Sequence, residues 1–576
     1  MDGQGGPSGV TAPDAATLIG YAAGDPTLRE ALLRRTPTAG TAQDLSFAYL
    51  GPLVSGSTFA GPAAGSYSYS YDAAFRLTGM NLAIGATSVP FAIAYDADGL
   101  PTTLGPFSLT RNGPGGAPTS IGDGTGQFSL GFDSAGRLAT RSAQVNAAPV
   151  YQEQLTYDAA GRITQRVETV GSTPTTFVYG HDANSQLTSV SRNSVTVEQY
   201  GYDSRGNRTS RQLGTATPEA AVYDLQDRLQ SRGGVAYGFD ANGFLSTRGS
   251  DSFQFGTRGE LLSATVGSQT VSYGYDGFGR RTSRTDTAGT YRYLYANPKN
   301  DLQLTAAVDP SGVVSAYIYE DGGRLIAIQR GPARYYVATN LVGSPVAVAD
   351  ATGAIVKQLE WDAFGNVVAD SNPGFDLPVG FAGGLRDPLT GFTRFGLRDY
   401  EPASGRWVSR DPALFEGRQA NLYAYVSNDP VNMVDFGGAM SGGASAYDGI
   451  GGGIKFSFTD QGMSFCAEIG FGLGDSFEFN PTGDLDDDGV SLDGSLAGKL
   501  GPFGGLESGF SIKECANIEK KVKACAGPFC AETPWKGTTP QETKGKIEAG
   551  TDINKLNPEF KVEGKIAANF CAQSRW

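Results

Sequence analysis

Residues 271–283 read VSYGYDGFGRRTS, and their pattern decides the fold. Val271, Tyr273 and Tyr275 alternate with small residues, the period of a strand with one face against a core. Asp276 then opens a turn. Its carboxylate suits the amides that follow, and Gly279 supplies the positive φ that such a turn requires. A second strand follows. The pattern recurs in SYSYDAAFRLTG (68–79), AIAYDADGLPT (92–102), SLGFDSAGRLAT (129–140), QLTYDAAGRITQ (154–165), AYIYEDGGRLIA (316–327) and others, at a period of about 20 residues. Each unit predicts a β-hairpin, and consecutive hairpins predict a continuous sheet that must close, curl or be capped. On periodicity alone, a solenoid or a propeller stays open.

Composition agrees. The chain has 576 residues, 81 of them Gly, with 26 Tyr and 31 Phe, as expected for many short strands and tight turns. Hydrophobic residues make up 40%, enough for a core, and the formal net charge of -14 disfavours a wrapped nucleic-acid partner. The N-terminus MDGQGGPSGVTAPDAATLIG lacks a basic region ahead of an apolar core, so it is not a standard signal peptide. Export without an N-terminal signal and truncation of a longer parent both stay open. Usage changes sharply at one place. All five cysteines follow residue 438, as do all lysines except Lys299 and Lys357, whereas Arg575 is the one arginine beyond it. Two regions with such different usage read as separate domains.

The Tyr-Asp units resemble the YD repeats of the RHS family, which also occur in teneurins and in the C component of Tc toxins. The segments RYYVATNLVGSPVAVADATGAIVKQLEWDAFGN (334–366), GFTRFGLRDYEPASGRWVSRDP (391–412) and NLYAYVSNDPVNMVDFGG (421–438) resemble the late repeats and the RHS-associated core. Ala338-Thr339-Asn340-Leu341 departs from the family, which often has His and Asp there. The resemblance implies a mainly β protein: hairpins in a spiralling sheet that forms a hollow shell, plus a separate small β-rich C-terminal domain. The expected division is 1–60 as an N-terminal segment or the start of the shell, 61–380 as repeats, 381–439 as a core plug and 440–576 as a variable domain.

The resemblance further implies self-cleavage at the end of the core by an aspartyl-protease-like pair. Arg410, Asp411 and Asp435 match the family's Arg-Asp and later Asp. Two adjacent carboxylates do not both ionise easily, so one is expected to hold a proton while the other activates water. Arg410 would orient a carboxylate or the carbonyl. The candidate bond is Ala439–Met440, although Phe436 and Ala439 replace the Pro and Leu usual in the family. Asp399 and Asp429 read as turn caps, and Trp361 and Trp407 as packing of the plug.

The tail alternates as Gly-broken strands, and no family is recognised in it. The chain's single histidine is His181, so His-dependent nuclease or triad chemistry is excluded from the tail. Cys525 and Cys530 suggest a small loop closed by a disulfide or a thiol pair. Asp484, Asp486 and Asp488 resemble the start of a calcium loop, but Ser495 stands where the closing Glu belongs, and a solvated acidic turn is preferred. No cofactor or resident metal is expected. The functional expectation is a shell that encloses and cuts free its own C-terminal domain, a candidate toxin. Its implied partners are an immunity protein and a secretion apparatus, its location is secreted or at the cell surface, and delivery into a target cell is open. The alternative is a non-enzymatic extracellular scaffold or adhesin.

Overall fold

The computed structural model describes residues 9–438, with breaks at 22–29, 39–40, 63, 299, 413 and 415–419, and beyond them the backbone of the tail's strands. Thirty-five strands, from Gly9–Thr11 to Val367–Asp370, form one sheet in which each strand pairs antiparallel with the next in sequence. Described strands within the first 60 residues already belong to it, such as Ala15–Tyr21 and Leu53–Ala60. The described residues contain no α-helix, only short 3-10 turns.

The repeat motif is a set of linked hydrogen bonds. Asp158 caps its own turn: Oδ1 accepts from the amides of Ala160 and Arg162, both at 2.9 Å, and Oδ2 accepts from Arg162 Nε at 2.8 Å. Gly161 sits at φ +82°, where a side chain would be strained. Asp72, Asp133, Asp224 and Asp276 do the same with Arg76, Arg137, Arg228 and Arg280. The aromatic residue before each Asp lies at a register shift, as between Thr156 and Tyr157 or Gly274 and Tyr275. Such a bulge re-aims the ring. The hydroxyl then reaches back to the preceding unit: Tyr157 donates to the Leu138 carbonyl at 2.6 Å, Tyr202 to Leu187 at 2.6 Å and Tyr275 to Leu261 at 2.7 Å. Arginines of that preceding unit stack on the same rings, Arg76 at 4.7 Å from the Tyr95 centroid and Arg137 at 4.4 Å from that of Tyr157. At the atypical 338–341 turn, Asn340 replaces Asp and still accepts from the Ser344 amide.

Distant parts of this sheet meet face to face, so the sheet coils as a shell. Buried Arg35 pairs with Glu260, Arg334 with Asp123, and Arg211 with Asp362. One apolar cluster joins strands of 104–200 to those of 318–349 and to the core segment. Another joins residues 19–84 to 294–308. The core segment adds a separate four-stranded sheet, Leu385–Arg386, Thr393–Phe395, Arg398–Glu401 and Arg406–Trp407. Its aromatics Phe381, Phe395, Tyr400, Trp407 and Tyr425 pack together. Tyr400 donates to the Phe364 carbonyl at 2.8 Å, and the Leu245 amide to Val408, which ties this segment to the repeats.

By its internal contacts the chain divides into two compact units. One holds Met1–Asp448, Gly453–Ala467 and Phe570–Trp576, and the other Gly449–Gly452 and Glu468–Asn569. The second contains a four-stranded meander, Leu492–Leu500, Gly504–Lys513, Asn517–Ala526 and Phe529–Lys536.

Two predictions follow from these bonds. Tyr157→Phe removes one interstrand donor and is expected to cost about 1 kcal/mol in chemical denaturation, whereas Asp276→Ala strips the cap and pair from buried Arg280 and costs about 3 kcal/mol. The second concerns Glu198, whose carboxyl is pushed up to about 7 by burial and then by the Asp362 charge, against the Tyr200 hydroxyl bond. The folded state therefore holds this proton more tightly than the unfolded chain, and the stability of the wild type falls as pH rises from about 4.5 to about 7. Glu198→Gln is expected to flatten that slope in denaturation series across the window.

Candidate functional site

Arg398 lies in the strand Arg398–Glu401 and is 3% exposed. Its strand position points it inward, and Trp407 lies under its guanidinium at 4.0 Å from the ring centroid. The donors fan out from there. Nη2 is 2.8 Å from Asp411 Oδ2 and 3.2 Å from Asp435 Oδ2. Nη1 reaches the Leu422 carbonyl at 3.5 Å, and Nε donates to the Gly438 carbonyl. One guanidinium thus holds two carboxylates that are 24 positions apart in sequence.

Backbone pairing brings the parts together. The Asp411 amide donates to the Leu422 carbonyl and the Trp407 amide to that of Tyr423, which lays 407–411 beside 421–424. Asp435 follows the strand Met433–Val434, which pairs with Gly442–Gly443. Asp435 Oδ1 accepts from the Gly438 amide at 2.8 Å, and the Gly437 carbonyl accepts from the Leu397 amide at 3.0 Å. Gly438 sits at φ +70°, and a Cβ there would meet the Phe395 carbonyl and the Arg398 backbone. Only glycine delivers its carbonyl to Arg398 in this way. The side chains of Arg398 and Asp435 are nearly closed to solvent, while that of Asp411 is 13% exposed.

The structure thus brings Asp411 and Asp435 together, but the guanidinium between them belongs to Arg398. Arg410, assigned that role from the Arg-Asp dipeptide, is exposed and forms no ion pair with either acid among the described residues. The signal for Arg398 was the Leu-Arg-Asp-Tyr run, whose arginine falls on an inward-facing strand of the core. Asp399 is not a turn cap either. It is fully buried and accepts from Arg281 Nη2 at 2.7 Å and Arg394 Nη1 at 2.8 Å. Asp429 accepts from the Asn432 side chain at 2.8 Å and lies 3.5 Å from His181. Trp361 donates to the Pro345 carbonyl at 2.6 Å, and Trp407 packs in the aromatic cluster.

Ala439 and Met440 lie outside the described residues, as do Asp484 and Asp488. Asp486 pairs with Gly489 in a tight hairpin. Cys525 and Cys530 occupy facing register positions across the Asn517–Ala526 and Phe529–Lys536 pair.

The sequence model of the Teneurin YD-shell matches residues 27–431. This chain belongs to that family. Similarity extends to teneurin-4 of Homo sapiens, 30% identical over 408 residues that cover 67% of this chain and 15% of the relative. Teneurin-m of Drosophila melanogaster is 30% identical over 383 residues, covering 64% and 14%. The chain therefore spans about one seventh of the length of these relatives. Among solved structures, the Photorhabdus luminescens Tc holotoxin pore superposes with a TM-score of 0.54 at 18% identity, covering 74% of this chain and 23% of that one. The TcdB2-TccC3-Cdc42 crystal structure gives 0.53 at 17% identity, covering 74% and 24%. At those identities the likeness concerns the fold, a YD shell.

Asp399→Asn leaves two buried guanidiniums sharing one neutral partner. We expect a loss of about 3–5 kcal/mol of stability, read by denaturation of the full chain.

Proposed function

We propose that this YD shell cuts its own chain at the end of the core and holds the C-terminal region as cargo. The observation that carries this reading is the Gly438 carbonyl on Arg398, between Asp411 and Asp435. In such a site Arg398 polarises the carbonyl and takes up the charge that develops on its oxygen. Its positive charge between the carboxylates does what a shared proton does in a bare acid pair. Asp411, the more open acid, takes a proton from water as the water oxygen bonds to the carbonyl carbon. The C–N bond then breaks, and the proton passes to the leaving nitrogen. Asp435 holds the Gly438 amide and so positions the residue whose carbonyl is attacked. The bond favoured by this geometry is Gly438–Ala439, one residue before Ala439–Met440.

The cargo is a candidate toxin, acting outside the producing cell or delivered into another, with an immunity protein and a secretion apparatus as partners. The sharp change in cysteine and lysine usage after residue 438 supports a cargo of separate origin. Growth arrest on expression of residues 440–576 alone, absent with the full chain, is the result expected. A second reading, an extracellular scaffold or adhesin whose tail stays tethered as a binding domain, is favoured by one feature. Met433–Val434 and Gly442–Gly443, which flank the candidate bonds in sequence, pair with one another.

Denaturing electrophoresis with intact mass separates the two readings. Wild type is expected to give two fragments of the 60.2 kDa chain, with masses that tell Gly438–Ala439 from Ala439–Met440 by one alanine. Asp411→Asn and Asp435→Asn are expected to remain whole, and Arg398→Lys to cut at least about 100-fold more slowly. Arg410→Ala is expected to cut like wild type. A wild-type chain that stays whole after folding rules out self-cleavage and leaves the scaffold.

A further inference from the structure

The chain that crosses Arg398 rests on a turn of the core sheet. Phe395 ends one strand and Arg398 begins the next, and the two residues pair, so Gly396 and Leu397 form the connection. The turn is fixed from its own strand. The Gly396 carbonyl accepts from Arg394 Nε at 2.9 Å, and Arg394 Nη1 donates to buried Asp399 at 2.8 Å. The Leu397 amide donates to the Gly437 carbonyl at 3.0 Å. The next residue, Gly438, carries the groups of the candidate site, its amide on Asp435 and its carbonyl on Arg398.

Gly396 has φ +44°, and the place a side chain would take is filled by the Gly437 carbonyl. A Cβ there would overlap that oxygen and would lie 2.9 Å from the carbonyl carbon and 2.8 Å from Leu302 Cδ1. Leu302 can turn aside, because only the end of its side chain is in the way. The carbonyl is backbone held by the Leu397 amide, and moving it moves Gly438 as well. The crowding is mutual, since a Cβ on Gly438 would overlap the Phe395 carbonyl and lie 2.9 Å from the Arg398 amide nitrogen. Backbone thus passes over backbone at two glycines. Turn chemistry alone does not demand this. A two-residue turn needs a positive φ, which asparagine also supplies. Gly391, in the same core segment, has φ +74°, yet a Cβ there meets nothing within 4 Å.

We propose that Gly396 is a positioning residue for the self-cleavage: by placing no side chain in the turn, it lets Gly437 settle against the core and sets the Gly438 carbonyl on Arg398. This rests on the self-cleavage reading above. A displacement of the reacting carbonyl on the order of 1 Å slows such a reaction about 100-fold.

The test compares wild type, Gly396→Ala, Gly396→Asn and Gly391→Ala as full chains. Each is made by cell-free synthesis and sampled over time by denaturing electrophoresis with intact mass. The folded fraction is read by resistance to limited proteolysis, and the rate of cutting is expressed per folded molecule. A glycine that serves only the turn changes stability and leaves that rate alone. Gly396→Ala is expected to cut at least about 100-fold more slowly than wild type. Gly396→Asn suits the positive φ but keeps the Cβ, so it is expected to be as slow. Gly391→Ala carries left-handed strain without an obstruction and is expected to cut at the wild-type rate. The proposal is overturned if either folded Gly396 variant cuts like wild type, or if Gly391→Ala slows as much as they do. It is also overturned if the Gly396 variants fail to fold while Gly391→Ala folds, which makes Gly396 a folding residue. A wild-type chain that stays whole overturns the self-cleavage reading itself, and this inference with it.

Discussion

The fold depends on the bond that an aspartate makes to its own turn. A sheet of 35 strands in sequence order needs 34 connections that all hold register, because a slip of one residue sends every side chain to the wrong face. The Asp of each repeat fixes its turn with two amide bonds and aims an arginine with a third. That arginine then stacks on the next tyrosine, whose hydroxyl returns to the strand before. Register is thereby passed from one unit to the next by three residues. The bulge at each tyrosine adds twist, and twist is what lets so long a sheet coil.

Coiling brings charged residues of distant repeats to face one another in the interior, and most are matched. Arg35 with Glu260, Arg211 with Asp362, and Arg281 and Arg394 with Asp399 are buried pairs that specify which parts of the sheet meet. Such pairs contribute little net stability, yet breaking one leaves an uncompensated charge. They therefore act against wrong registers of the coil.

The candidate site follows the same logic at the end of the core. Arg398, Asp411 and Asp435 come from three separate stretches and meet only when the core sheet is built. The glycine at 438 lets the backbone approach Arg398, so the chain presents its own peptide to the cluster. A site assembled in this way would act only on a folded molecule.

The hairpin repeat, the β class and the change in usage after residue 438 were legible in the sequence, because each is a local pattern, whereas Asp411 and Asp435 were pointed to only by the family resemblance. Tyr-Asp-x-x-Gly-Arg writes its turn, its cap and its pleat within six residues. The partners were not legible. Arg410 was the arginine next to Asp411 in the chain, yet Arg398 holds that acid, because the core sheet sets Arg398 in the interior while Arg410 lies at the surface. Asp399 looked like a turn residue until Arg281, more than a hundred positions earlier, was found against it. Local hydrogen bonding is encoded by neighbours in the chain, whereas the pairing of charges is decided by the path of the coiled sheet.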